Sequence, residues 1–152
     1  MYIEIEPKGL EGVQRMLSRL QAGFSDLTPV MREIGEELLA NWQQEWREEK
    51  DPYGEPWKPL KASTLARRRK GKGFGPVAKI LRDTGRLQNS FVVEANKDRV
   101  TIGTNVFYAP FHQFGTKYIP QRRLLPDADL PDEDKSVVME ILKEYLWRLS
   151  NE

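Results

Sequence analysis

The sequence contains no cysteine and a single histidine, His112, and those two shortages close most familiar catalytic routes. Without cysteine there is no disulfide scaffold, no thiolate metal site and no cysteine nucleophile, a composition that suits a reducing cytosol. One histidine cannot make an H-E-x-x-H zinc site, and it would have to act alone in any serine–histidine machinery. No apolar run approaches the roughly 18 residues that a membrane span needs, and no membrane contact is expected. The opening Met1-Tyr2-Ile3-Glu4-Ile5-Glu6 lacks the basic and apolar regions of a secretory leader, so none is expected. An excess of charge is missing too: 24 basic groups meet 23 acidic ones in 152 residues. That length suits one domain, 1–152, able to bury a core of its own.

Near-neutrality hides a partition. Residues 1–60 hold 7 basic and 12 acidic groups, a net of −5, and residues 61–86 hold 9 basic groups and only Asp83, a net of +8. Residues 87–126 hold 5 basic and 2 acidic groups, and residues 127–152 hold 3 and 8. A basic middle therefore lies between two acidic ends. Clustered cations meet phosphates, or an acidic surface on another protein or another copy of the chain. Arg67, Arg68, Arg69, Lys70 and Lys72 are the candidates for such docking. The glycines of Gly71-Lys72-Gly73-Phe74-Gly75-Pro76 are not a phosphate cradle: they follow no strand, and Pro76 stands where G-x-G-x-x-G needs glycine. Residues 61–80 read as a mobile basic loop or short helix.

Alternation in Tyr2–Glu6 predicts a short strand. Leu10, Val13, Leu17, Leu20 and Phe24 share one face of a helix over Lys8–Phe24, with Arg15 and Arg19 opposite. Thr28 as N-cap and Pro29 in the first turn start a second helix that runs to about Lys50. Its apolar residues, Val30 to Trp42 and Trp46, span about half the circumference, an arc wide enough for a sheet on one side and a helix or neighbouring subunit on the other. Three prolines and a glycine in Asp51–Pro59 forbid helix. Phe91–Ala95 and Arg99–Gly103 form a hairpin around Asn96-Lys97-Asp98. A last helix over 132–149 starts on acids, which favour its positive end. Trp147 stands on the polar side of that helix, among Lys143 and Glu140, so it is either packed under a loop or reserved for another molecule. Tyr108, Phe111 and Phe114 are expected in the core, as aromatics usually are, and His112 as a structural hydrogen-bonding residue. Gly85 and Gly115 sit at abrupt turns that favour positive φ. Tyr53 and Trp57, on the proline-stiffened loop, suit a packed lid or an interface anchor. The fold class is α+β: a small antiparallel sheet packed against long helices, with a Pro/Gly-rich basic excursion.

Four pieces stand in a fixed order. Trp46 is followed by Asp51-Pro52-Tyr53-Gly54-Glu55-Pro56-Trp57-Lys58-Pro59-Leu60. Then come Ile80-Leu81-Arg82-Asp83-Thr84-Gly85-Arg86-Leu87-Gln88-Asn89-Ser90, and Val100-Thr101-Ile102-Gly103-Thr104-Asn105 leading into Tyr108-Ala109 and His112-Gln113-Phe114-Gly115. Ile119-Pro120-Gln121-Arg122-Arg123-Leu124-Leu125-Pro126 closes the series. Over residues 28–128 this pattern resembles the phage virion morphogenesis family, the tail-completion proteins of Mu-like and P2-like bacteriophages. One departure is Arg123-Leu124-Leu125, where relatives often have Arg-Pro-Phe-Leu. The resemblance implies a small α+β protein of the virion neck or tail terminus, assembled in the host cytoplasm. It implies a homo-oligomeric ring of six copies that joins tail to head and touches neck, connector or tail-tube proteins. DNA passing through such a ring would brush it incidentally. No enzyme activity and no catalytic, cofactor-binding or metal residues are implied. Trp42, Trp46, Tyr53, Trp57 and Trp147 join the basic cluster as candidate contacts between copies or with partners.

Two other readings compete. A nucleic-acid-binding module would use residues 61–86, although no helix-turn-helix, zinc or RNA-binding signature accompanies them. A dimeric aspartic protease would use Asp83-Thr84-Gly85, one aspartate per subunit. Arg82 and Arg86 argue against it, since cations depress the pKa that a shared proton requires to be raised.

Overall fold

Tyr2 and Glu4 point outward while Ile3 and Ile5 are half-buried, which is the period of a strand with one covered face. In the computed structural model, which describes residues 1–5, 11, 12, 15, 18, 26–69, 79–82 and 85–150, that strand is β1, Tyr2–Ile5. The hairpin supplies β2, Val92–Ala95, and β3, Val100–Gly103, and the sheet order is β1-β3-β2. β1 and β3 run antiparallel, with Tyr2 opposite Gly103 and Ile5 opposite Val100. Asn96 closes the hairpin: its backbone N–H reaches the Arg99 carbonyl, and its side-chain oxygen accepts the N–H groups of Asp98 and Arg99. The architecture is α+β.

The chain divides into two compact units. The first takes Tyr2–Asn41, Val93–Gly103 and Ala128–Glu152. Its long helix is α1, Thr28–Arg47, of which residues to Asn41 belong here. Val30, Met31, Ile34, Leu38 and Leu39 are all buried. Gly35 lets the helix approach the sheet: a Cβ there would stand 2.5 Å from side-chain carbons of both Val93 and Val100. The cap differs from the expected one. Thr28 is already helical, and the Asp26 carboxylate accepts its N–H at 2.9 Å and its hydroxyl. Those hydrogen bonds hold the Asp26 carboxyl below its ordinary pKa.

The C-terminal helix of this unit spans Asp132–Ser150, with Asp132, Glu133 and Asp134 in its first turn. Val138, Ile141 and Leu142 are buried. Arg148 pairs with Glu33 of α1 at 3.2 Å. The helix expected over Lys8–Phe24 lies mostly outside the described residues, of which Glu11, Gly12, Arg15 and Ser18 are helical and exposed.

The second unit takes Met1, Trp42–Val92 and Thr104–Asp127. It contains the last turns of α1, then α2, Ala62–Arg69, and α3, Ala109–Phe114; the C-terminal helix of the first unit, Asp132–Ser150, is α4. Most of its backbone is irregular, as the prolines of Asp51–Pro59 and Pro120–Pro126 demand. Its order comes instead from side chains that bond to main chain.

Candidate functional site

The segment Arg122–Leu125 makes no ladder with a strand, so its polar groups need other partners. Side chains supply them. The indole Nε1–H of Trp46 donates to the Leu124 carbonyl at 2.9 Å, and that of Trp57 donates to the Arg123 carbonyl at 2.8 Å. Buried Gln113, on α3, accepts the N–H groups of Leu124 and Leu125 through one oxygen, both at 2.9 Å. Its amide nitrogen donates to the Leu125 carbonyl at 2.7 Å. One glutamine thus replaces a strand neighbour for two successive residues.

The proline loop is gripped by the same segment. The guanidinium of buried Arg122 donates to the carbonyls of Lys58 and Pro59, at 2.9 and 3.0 Å. Buried Asp51 folds the loop by accepting the N–H groups of Tyr53 and Glu55, at 2.8 and 2.9 Å. Its second oxygen faces Arg123 at 3.6 Å, and Arg123 is held from the other side by Asp127 at 2.7 Å. Gly115 makes the turn that returns the chain from α3: its φ is +76°, and a Cβ there would meet the Gln121 nitrogen at 2.9 Å. Gly85 also has positive φ, +80°. Ser90 then donates to or accepts from Thr104 at 2.6 Å, and Trp46 and Phe91 meet ring to ring with centroids 4.9 Å apart.

Apart from Val100–Gly103, which belongs to the first unit, the described residues of the four sequence pieces fall in this unit, and most of their distinctive side chains there are spent on holding it together. Among the described residues no cluster of three or more His, Asp or Glu could hold a metal ion, and no helix is long and apolar enough to cross a membrane.

Beside the clasp lies a cavity of about 350 Å³. Leu60, Leu87, Tyr108 and Ile119 give it an apolar wall, while Lys61, His112 and Arg122 bring nitrogen. His112 stands edge-on to Tyr108 at 6.2 Å, and its Nδ1 is buried without a hydrogen-bond partner among the described residues. Burial, and then the charge of Arg122, pushes its pKa below the ordinary histidine value. Arg86 lies over the Tyr108 ring at 5.9 Å.

The phage virion morphogenesis family model covers residues 9–147. The chain belongs to the phage virion morphogenesis family. It is also 29% identical over 152 residues to Mu-like prophage FluMu G protein 2 of Haemophilus influenzae, a match covering 97% of this chain and 98% of that protein. No solved structure matches it. It is a phage morphogenesis protein.

Within this virion morphogenesis protein the expected contact residues part company. Trp42, Trp46 and Trp57 are enclosed by the chain itself, the first two only 1% exposed. The wide apolar arc of α1 is covered in the same way, so these indoles build the core and offer a partner no surface. Tyr53 is half-buried, its N–H held by Asp51. Arg67 is exposed on α2. Arg68 and Arg69 continue that helix, though their side chains, and Lys70 and Lys72 altogether, lie outside the described residues. Asp83 and Thr84, the first two residues of the protease motif, lie outside them too.

Two aromatics overturn the core expectation. Phe111 is 46% exposed and Phe114 62%, and Phe107 and Tyr118 beside them reach 74% and 73%. The reason is the short α3: Ala109 and Gln113, one turn apart, take its inner side, which leaves Phe111 and Phe114 on the outer ones. The pairing of a small residue and an amide at that spacing was the available signal. Trp147 is 66% exposed, which removes the first of its two expected fates, packing under a loop.

Proposed function

We propose that this protein is a structural component of the virion neck or tail terminus, assembling with copies of itself into a closed ring that completes the tail and joins it to the head. The observation that carries this reading is the exposed aromatic strip Phe107, Phe111, Phe114 and Tyr118. Large hydrophobics gathered in so short a stretch cost solubility in a monomer and commonly mark a protein contact. The clasp behind them makes α3 a rigid platform, because Gln113 is fixed by three hydrogen bonds. Rigid aromatic anchors bind at low entropic cost. Head-to-tail association around an axis closes a ring and leaves no free surface of this kind. The basic residues Arg67 to Lys72 dock on acidic surfaces of copies or neighbouring neck, connector or tail-tube proteins.

The reading is tested by infection with a phage lacking this gene. Filled heads and separate tails should accumulate, and adding the purified protein to the lysate should restore joined particles. Complete, infectious particles formed without it would contradict the proposal.

A further inference from the structure

Resting on that reading, one contact between copies is specified further by three independent features. The cavity beside the clasp is apolar, about 350 Å³ in volume, and carries two cations, Lys61 and Arg122, with no carboxylate among its described lining residues. Arg86, exposed beside it on Tyr108, adds a third cation. Ligand-sized pockets begin at about 300 Å³, so an aromatic side chain fits. On α4, Glu140, Glu144 and Trp147 follow at i, i+4 and i+7 and are all exposed. They present an indole with two carboxylates on one helical face, in a segment of 8 acidic and 3 basic groups. The other three tryptophans are buried, so Trp147 is the one indole turned to solvent.

We propose that Trp147 of one copy seats in the Leu60–Leu87–Tyr108–Ile119 cavity of the next, with Glu140 and Glu144 meeting Lys61 and Arg86. The contact is heterologous: a knob on one surface enters a pocket on a different surface. Each copy therefore offers one of each, and repetition of the contact about an axis whose rotation closes gives a ring. Tryptophan is favoured as the anchor of such a contact because its area is large and its conformational freedom small. Opposite charges around it set orientation and speed encounter.

The test uses the full chain and two variants. Trp147→Ala removes the knob, and Thr64→Trp fills the pocket from α2. Each alone should self-associate about thirtyfold or more weakly than wild type in sedimentation, with an unchanged circular-dichroism spectrum. Mixed together they should form a one-to-one heterodimer and nothing larger, since only one intact knob and one intact pocket remain. In assembled wild type, acrylamide quenching of tryptophan fluorescence should drop, and most of that change should vanish in Trp147→Ala. Assembly of wild type with Trp147 still fully quenchable would overturn this contact while leaving the ring standing. Protection of Trp147 only when another virion protein binds would overturn it in favour of that partner. A chain that stays monomeric both in solution and in the virion would overturn both.

Discussion

Trp46 Nε1 and the Leu124 carbonyl, 78 residues apart in sequence, are joined by a buried hydrogen bond of 2.9 Å. The bond ties the end of α1 to a segment that has no strand partner, and Trp57 repeats it on the preceding carbonyl. Replacing Trp46 by Phe keeps much of the packing and leaves the Leu124 oxygen buried without that donor. The expected loss is about 1–3 kcal/mol, read as a lower midpoint in urea unfolding with unchanged slope. An unaltered midpoint would show that the indole contributes only its volume.

Gln113 should be the more sensitive position. Gln113→Leu preserves size but strands two N–H groups and a carbonyl of Leu124 and Leu125. Unsatisfied buried groups cost about 1–3 kcal/mol apiece and do not add fully, so a total near 3–5 kcal/mol is expected. Thermal unfolding of the variant checks this, and a loss under about 1 kcal/mol would mean that the segment finds other partners.

Gly35 tests the approach of α1 to the sheet. A methyl group there collides with Val93 and Val100, both at 2.5 Å. Gly35→Ala would raise helix propensity in an open setting, yet here it should destabilise by about 1–3 kcal/mol because the packed neighbours must shift. Pairing it with Val93→Ala should recover part of the loss, which a double-mutant cycle measures directly.

His112, the sole histidine, gives a clean titration. Its folded pKa lies below the ordinary 6.5 because burial and Arg122 both disfavour the imidazolium. Above the ordinary value both folded and unfolded forms are neutral, and the neutral-state contribution is complete. As pH falls through the ordinary value, the unfolded chain takes up a proton that the folded chain resists, so stability declines until the folded pKa is reached. The proton resonances of the single imidazole should titrate below 6.5, and His112→Gln should flatten stability against pH in that window. A midpoint above 6.5 would place the ring in a different environment.

How far the sequence could be read is clearest at α1 and α3. Period-2 alternation, the turn residues of the hairpin and the acids opening α4 are local signals, and the elements they announce are present. The angular position of Trp147 was likewise a local matter, and it is exposed. Trp42 and Trp46 were different. An apolar arc looks the same whether its cover is the chain's own or a partner's, and here the cover for Trp46 includes Leu124, which arrives from a distant segment. At α3 the usual preference of phenylalanine for the interior misled, because the inner side of a six-residue helix had room only for Ala109 and Gln113. A polar residue that serves as a surrogate strand is legible only once the segment it serves is in place. The family's motifs lie mostly in the second unit, where residues such as Trp57, Gln113 and Arg122 hold its fold.

The central claim, a ring of copies at the junction of head and tail, is tested most directly by electron cryo-microscopy of assembled particles at the upper end of the tail. A closed ring of this chain is expected there, with Trp147 of each copy buried against its neighbour. A finished particle without the protein, or with a single copy bound off the axis, would contradict it.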